Sequence, residues 1–118
     1  KYYNEINIIF LGWLSDVEIY NLLLSADLAI YPGTHAVLWE QSVGVGLPCI
    51  FKKWEGIQHV DLGDNCLFLE SSKIKELKEK LNMIIPKNDV FFKLKKNAEK
   101  KGPEHFAYSK IAERAIKV

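Results

Sequence analysis

Residues 34–50 read THAVLWEQSVGVGLPCI, and this stretch determines the fold that we expect. A loop leads into a short helix with one carboxylate, Glu40, and the helix ends at residues 46–48, Gly-Leu-Pro, before a second apolar run. The amino end of a helix favours an anion such as a diphosphate, and an ionised carboxylate accepts hydrogen bonds from two vicinal hydroxyls. A nucleotide sugar has both groups, so the stretch predicts a nucleotide-sugar site.

The composition predicts one folded domain with a packed core. The chain has 118 residues, of which 48% are hydrophobic, and its net charge is +1. So small a charge argues against a nucleic-acid partner. Cys49 and Cys66 lie in apolar runs, so we expect buried thiols rather than a disulfide or a metal pair, and a cytosolic protein. No apolar run approaches the roughly 20 residues that a membrane span requires.

Strands and helices alternate along the chain. The apolar runs predict four strands, at residues 6–11, 28–31, 48–51 and 66–69. The remaining periodic segments predict helices at residues 16–25, 36–45, 72–84, 89–100 and 108–117. This alternation predicts an α/β fold, a three-layer, Rossmann-like parallel sheet of about four strands with helices on both faces.

Local signals predict where the helices begin and end. Ser15 and Glu18 have the spacing of a capping box at the start of the first helix. Ser72 is the expected cap of the third helix, and Gly102-Pro103 is expected to end the fourth. The first helix should turn its apolar side chains inward, namely Val17, Tyr20, Leu23 and Leu24.

The loops after the strands are expected to meet at one edge of the sheet. In parallel α/β sheets, ligands bind beyond the carboxyl ends of the strands. Four segments lie there in the predicted topology, at residues 12–15, 32–35, 52–59 and 70–72. We call this edge the carboxyl rim, and all candidate site residues come from its loops or from the helix starts beside them.

The order of short motifs resembles the carboxyl-terminal half of GT-B glycosyltransferases, and family 4 most closely. A strand ends in Phe-x-Gly at residues 10–12, a helix ends in Ala-Asp at 26–27, and a strand ends at Pro32. The glutamate helix ends in Gly-Leu-Pro, and residues 106–112 are similar to the Phe-Ser-x-x-x-x-Ala close of many such enzymes. The resemblance covers nearly the whole chain.

The resemblance implies that residues 1–118 form a single nucleotide-sugar-binding domain, a fragment of a longer two-domain enzyme. The enzyme would transfer a sugar from a nucleotide diphosphate to a glycan or lipid-linked acceptor held by its amino-terminal half, in bacterial polysaccharide or glycoconjugate biosynthesis. We expect a cytoplasmic location. Peripheral contact with the inner face of the membrane, through the lysines of residues 73–101, is a further expectation.

The ribose contact falls on one of two neighbouring residues. The family's glutamate usually stands seven residues before the proline, which is the position of Gln41, whereas Glu40 stands eight before Pro48. We favour Glu40 because it has the charge, and Gln41 remains the alternative. The family's second glutamate, eight residues earlier, has no counterpart, since Pro32 and Gly33 occupy those positions. The stereochemical outcome therefore stays open between retaining and inverting.

Further candidates come from the first three of the four loops of the carboxyl rim. The first loop is expected to bind the nucleobase, through Gly12, Trp13 and Leu14. Diphosphate binding is assigned to the second, through Gly33, Thr34 and His35. In the third loop, Lys52 and Lys53 are expected to stabilise the leaving diphosphate. Glu55 and Gln58 are expected to contact sugar hydroxyls. His59 and Asp61 lie a little further along the chain. An ordinary structural role is the alternative for each of these residues.

Neither a DXD-type metal motif nor a zinc-type spacing is present in the sequence, and we expect no metal and no cofactor beyond the nucleotide sugar. Two other functions remain open. One is a different GT-B-shaped enzyme, such as a sugar-nucleotide epimerase, which would release nucleotide diphosphate without an acceptor. The other is a degenerate, non-catalytic glycosyltransferase half that serves as a binding module.

Overall fold

The computed structural model describes residues 7–106, which form an open three-stranded parallel sheet and four helices. The predicted helix at residues 108–117 lies outside the described residues. The elements in chain order are α1 (Asp16–Ser25), β1 (Ala29–Tyr31), α2 (Val37–Gly44), β2 (Cys49–Lys52), β3 (Cys66–Leu69), α3 (Ile74–Ile84) and α4 (Asp89–Phe106). The chain is therefore an α/β protein, as predicted.

The sheet has the order β1-β2-β3, with β2 in the centre. Ile30 is in register with Ile50, and Ile50 with Leu67. Because successive side chains of a strand point to opposite faces, β2 contributes to two hydrophobic clusters. Cys49 and Phe51 pack with Trp39 of α2 on one face, and Ile50 packs with residues of α3 and α4 on the other. Helices therefore cover both faces of the sheet.

Residues 7–11 do not form the predicted first strand. They have no regular secondary structure, and Ile9 and Phe10 are 78% and 76% exposed. A strand needs a neighbour that takes up its backbone hydrogen bonds, and this segment is not paired with β1 in the described part of the chain. The apolar run had the composition of a strand but lacks that pairing, so the described sheet has three strands instead of four.

The bounds of α1 are confirmed, but its packing is not. Ser15 and Glu18 form the predicted capping box, with distances of 2.9 and 3.2 Å between each backbone nitrogen and the other residue's side-chain oxygen. Of the four side chains expected to face inward, only Leu23 is buried. Val17 and Tyr20 are 69% and 55% exposed, because no strand beyond β1 lies under them in the described residues.

The prediction that Gly102-Pro103 ends the fourth helix is wrong, since α4 continues through Pro103 to Phe106. Gly102 is buried against α2, where the backbones approach so closely that a Cβ on Gly102 would overlap the Val43 carbonyl oxygen. Proline removes one helical hydrogen bond. The packing of this segment against α2 outweighs the local tendency of glycine and proline to end a helix.

The predicted side-chain cap by Ser72 is not observed at the start of α3, and Glu76 in its first turn binds the segment before the helix instead. The helix begins at Ile74 after Lys73, which makes no side-chain cap. The carboxylate of Glu76 accepts hydrogen bonds from the backbone N–H groups of Glu70 and Ser71, both at 2.7 Å. These bonds lower the pKa of Glu76. The carboxylate therefore ties the end of β3 to the first turn of the following helix.

Among the residues that the structure describes, we find no helix with the length and apolar character needed to cross a bilayer.

Candidate functional site

Three side chains meet at the carboxyl rim, from three separate segments. His35 comes from the loop after β1, Glu40 from the first turn of α2, and His59 from the loop after β2. The Nε2 atoms of His35 and His59 lie 2.6 and 2.8 Å from the same oxygen, Oε1 of Glu40. We call these residues the His-Glu-His cluster. It stands at the edge where the sequence predicted ligand binding, and all three residues were named there, but the contact between them was not predicted.

Buried neighbours position the members of the cluster. Trp39, 1% exposed, lies next to Glu40 on α2 and contacts the His35 ring edge-on, with 5.3 Å between ring centroids. His59 precedes Val60, which is fully buried and so anchors the loop. The side-chain amide of Asn65 donates to the carbonyl oxygen of Val60 at 3.1 Å. The cluster is therefore attached to the core at each of its segments.

The two oxygens of Glu40 have different surroundings. Oε1 accepts from both histidines, whereas Oε2 is buried and has no hydrogen-bond partner within the described residues. Burial raises the pKa of this carboxyl, but the hydrogen bonds from His59 and His35 outweigh it and hold the pKa below its usual value. Since an ionised carboxylate only accepts, the hydrogen must lie on Nε2 of each imidazole.

The cluster has the composition of a metal-binding site. Its ligand atoms, one from each residue, all lie within 4.8 Å of one another. Two imidazoles and one carboxylate are ligands of zinc and of non-haem iron. No metal was expected from the sequence, which has neither a DXD-type motif nor a zinc-type spacing, and these three residues are 5 and 19 positions apart.

The second and third loops of the rim are joined by a tryptophan. The indole Nε1 of Trp54 donates to the carbonyl oxygen of Gly33 at 2.9 Å, and the Nζ of Lys52 lies 4.6 Å from the Trp54 ring centroid. The predicted cation Lys52 is therefore located between these loops. The other one, Lys53, lies 3.5 Å from Glu70, so its charge is directed toward the loop after β3.

A groove of about 780 Å³ lies beside the cluster, between α1 and α2. This is within the usual size range of small-molecule pockets. Glu40 and Gln41, the two alternatives for the ribose contact, both line it. The other lining residues are mostly apolar, namely Asp16, Val17, Ile19, Tyr20, Leu23, Val37, Gly44, Val45 and Phe106.

The remaining predicted residues lie at the surface. Trp13 is fully exposed at 102%, Leu14 is half-buried, and Gly12 has a φ of +67°. The described contacts do not join this first loop to the His-Glu-His cluster. Three candidates for polar contacts are also exposed, namely Thr34, Glu55 and Gln58.

Comparison with protein-family models, with curated proteins and with solved structures found no match for this chain. Its function is therefore inferred from its own residues.

Proposed function

We propose that this chain is the donor-binding half of a glycosyltransferase with a Rossmann-like, GT-B architecture. It would bind a nucleotide-diphosphate sugar at the carboxyl rim and present it to an acceptor held by another domain. One observation carries the proposal: a groove of about 780 Å³, within the size range of small-molecule sites, lies between α1 and α2, and both candidate ribose residues line it.

We assign the ribose hydroxyls to Gln41. Oε1 of Glu40 already accepts two hydrogen bonds and Oε2 is buried, so neither oxygen is open to a sugar in this conformation. Gln41 lines the same groove and stands at the position that the resemblance favours, seven residues before Pro48. Its amide can accept from one hydroxyl and donate to the other.

The cationic and polar groups of the rim would act on the diphosphate. When a glycosidic bond to phosphate breaks, negative charge develops on the leaving diphosphate, and fixed donors nearby lower the barrier. Lys52 is held over Trp54, and Trp54 is bonded to Gly33. On this basis we assign to Lys52 the positive charge that would stabilise the diphosphate. Transfer itself would require the acceptor to be brought in line by a second domain.

The test is an NMR titration of the protein with UDP, GDP and ADP in the presence of EDTA. We expect backbone shifts that saturate for at least one nucleotide and that fall on α1 and the start of α2. Gln41→Ala should weaken binding by about 30-fold, since it removes two hydrogen bonds of roughly 1 kcal/mol each. Glu79→Ala, on α3, is the matched control. Absence of shifts with all three nucleotides at millimolar concentration would refute the proposal.

A second assay separates transfer from the alternative of epimerisation. A glycosyltransferase forms nucleotide diphosphate from a donor only when an acceptor, or slowly water, takes the sugar. An epimerase releases free nucleotide diphosphate with no acceptor present. Rapid acceptor-independent release by the full protein would therefore favour the epimerase.

A further inference from the structure

We propose that the His-Glu-His cluster binds one divalent transition-metal ion, for which Zn²⁺ is the best match, through Nε2 of His35, Nε2 of His59 and the carboxylate of Glu40. The inference rests on the geometry of these three side chains and does not depend on the proposed function. A metal ion can be measured without nucleotide, and nucleotide binding can be measured without metal.

The distances in the cluster fit an ion after a small expansion. Tetrahedral zinc bound to nitrogen and oxygen at about 2.0–2.1 Å places its ligand atoms about 3.3 Å apart. The two nitrogen–oxygen distances here are 2.6 and 2.8 Å, and all three ligand atoms lie within 4.8 Å of one another. To reach this spacing, the imidazoles of His35 and His59 would withdraw from Oε1 of Glu40 by about 0.7 and 0.5 Å. Both lie in loops and are 31% and 44% exposed, so there is room for this movement.

The ligand types select the class of ion. Imidazole nitrogen suits zinc, cobalt, nickel and iron, whereas magnesium and calcium prefer sites made of oxygen. Three protein ligands leave one position open in a tetrahedral site, which is the arrangement of catalytic rather than structural zinc. That position can take water or a phosphate oxygen, so metal binding is compatible with nucleotide-sugar binding. Metal binding does not require the proposed function, and the proposed function does not require a metal.

The buried oxygen of Glu40 is a second observation that points to a ligand. Oε2 is shielded from solvent and makes no hydrogen bond with any described residue. Buried polar atoms without a partner are rare in folded proteins, because they lose their hydration without replacement. A metal ion in contact with this carboxylate would supply the missing partner.

The binding experiment uses protein stripped with a chelator and then dialysed. Zinc is titrated by calorimetry, and Co²⁺ by its visible absorption, which is intense in four-coordinate sites. We expect one ion per chain. His35→Gln, His59→Gln and Glu40→Gln should each weaken binding by at least about 100-fold, since loss of an outer-sphere partner alone costs 10–100-fold. The chain has one other histidine, His105 on α4, and His105→Gln should bind as the wild type does. Millimolar Mg²⁺ should not displace zinc.

Imidazole tautomers provide a readout that does not depend on mutation. Without metal, both rings should carry their hydrogen on Nε2, because Nε2 donates to Glu40. On binding zinc, both should move it to Nδ1, which long-range ¹H–¹⁵N spectra detect. If a substitution unfolds the protein, His59→Cys should fold and keep zinc binding, since thiolate is also a zinc ligand. The proposal is overturned if zinc does not bind, if it binds equally to the three variants, or if the tautomers stay unchanged at saturating zinc.

Discussion

The crossing of α2 and α4 leads to the sharpest prediction, which concerns Gly102→Ala. Alanine is favoured over glycine inside a helix by about 1 kcal/mol, so local preference alone predicts a stabilised variant. The structure predicts the opposite. A Cβ at this position would overlap the Val43 carbonyl oxygen and lie 3.0 Å from the Val43 carbonyl carbon and 3.5 Å from the Cα of Gly46.

The magnitude follows from what the alanine contacts. The neighbours are backbone atoms, which cannot rotate away, so the helices must separate by roughly an ångström. Overpacking of this kind costs about 1–3 kcal/mol in most cores and more where the structure cannot adjust. After the gain in helix preference, we expect a net loss of about 3 kcal/mol in the free energy of unfolding. For a chain of this size, that lowers the melting temperature by about 10 °C.

Urea and thermal unfolding followed by circular dichroism provide the measurement, with Gly33→Ala as the matched control. A Cβ on Gly33 meets nothing within 4 Å, and Gly33 does not have a positive φ, so its substitution should change stability by no more than about 0.5 kcal/mol. The reasoning fails if Gly102→Ala is as stable as the wild type or more stable. That result would mean that the two helices do not cross at this distance.

Two further predictions concern titratable groups. Glu76→Ala should lower the melting temperature at pH 7, whereas Glu79→Ala on the same helix should not. Because the folded-state pKa of Glu76 lies below the ordinary value of 4.5, its contribution is present above that pH and is lost as the pH falls through the lowered pKa. If the difference in melting temperature between the two variants were the same at pH 3 as at pH 7, this prediction would be wrong. Burial raises the pKa of the Cys66 thiol to about 12 and raises that of Cys49 as well, so both should react with iodoacetamide only as fast as the protein unfolds. Rapid alkylation of the folded protein would show that these thiols are accessible.

Elements with a strong local signal were predictable from the sequence. The capping box at Ser15 and Glu18 specified the start of α1, and the apolar run at Cys66–Leu69 gave β3 its bounds. The chemistry of these signals lies within a few residues of the chain. These local signals therefore have the same effect regardless of the contacts made elsewhere in the fold.

Features that depend on distant partners were not predictable in this way. The apolar residues 7–11 have the composition of a strand, but strand formation needs a neighbouring edge, which composition does not encode. Gly102 and Pro103 are helix breakers locally, and the close contact with Val43 overrides them. In both cases the outcome depends on an interaction across the fold.

The candidate site also has features that were predictable from local sequence and features that depend on distant contacts. Glu40 and His35 were selected from their position after β1, but the contact of both with His59 depends on the path of residues 53–60. That path is held by the buried Val60 and by the bond between its carbonyl oxygen and Asn65. No sequence spacing predicts such a contact, so the proposed metal ligands could be recognised as a group only from the structure.

The hydrogen bond from the Trp54 indole to the Gly33 carbonyl oxygen has a consequence for protein engineering. It couples two segments that are 21 positions apart in the chain, and one of them leads directly into the helix with Glu40. A designer who grafts a foreign loop onto either segment removes one half of this connection and leaves the other without its partner. Changes of specificity at this edge should therefore exchange both segments together, as one transplantable unit.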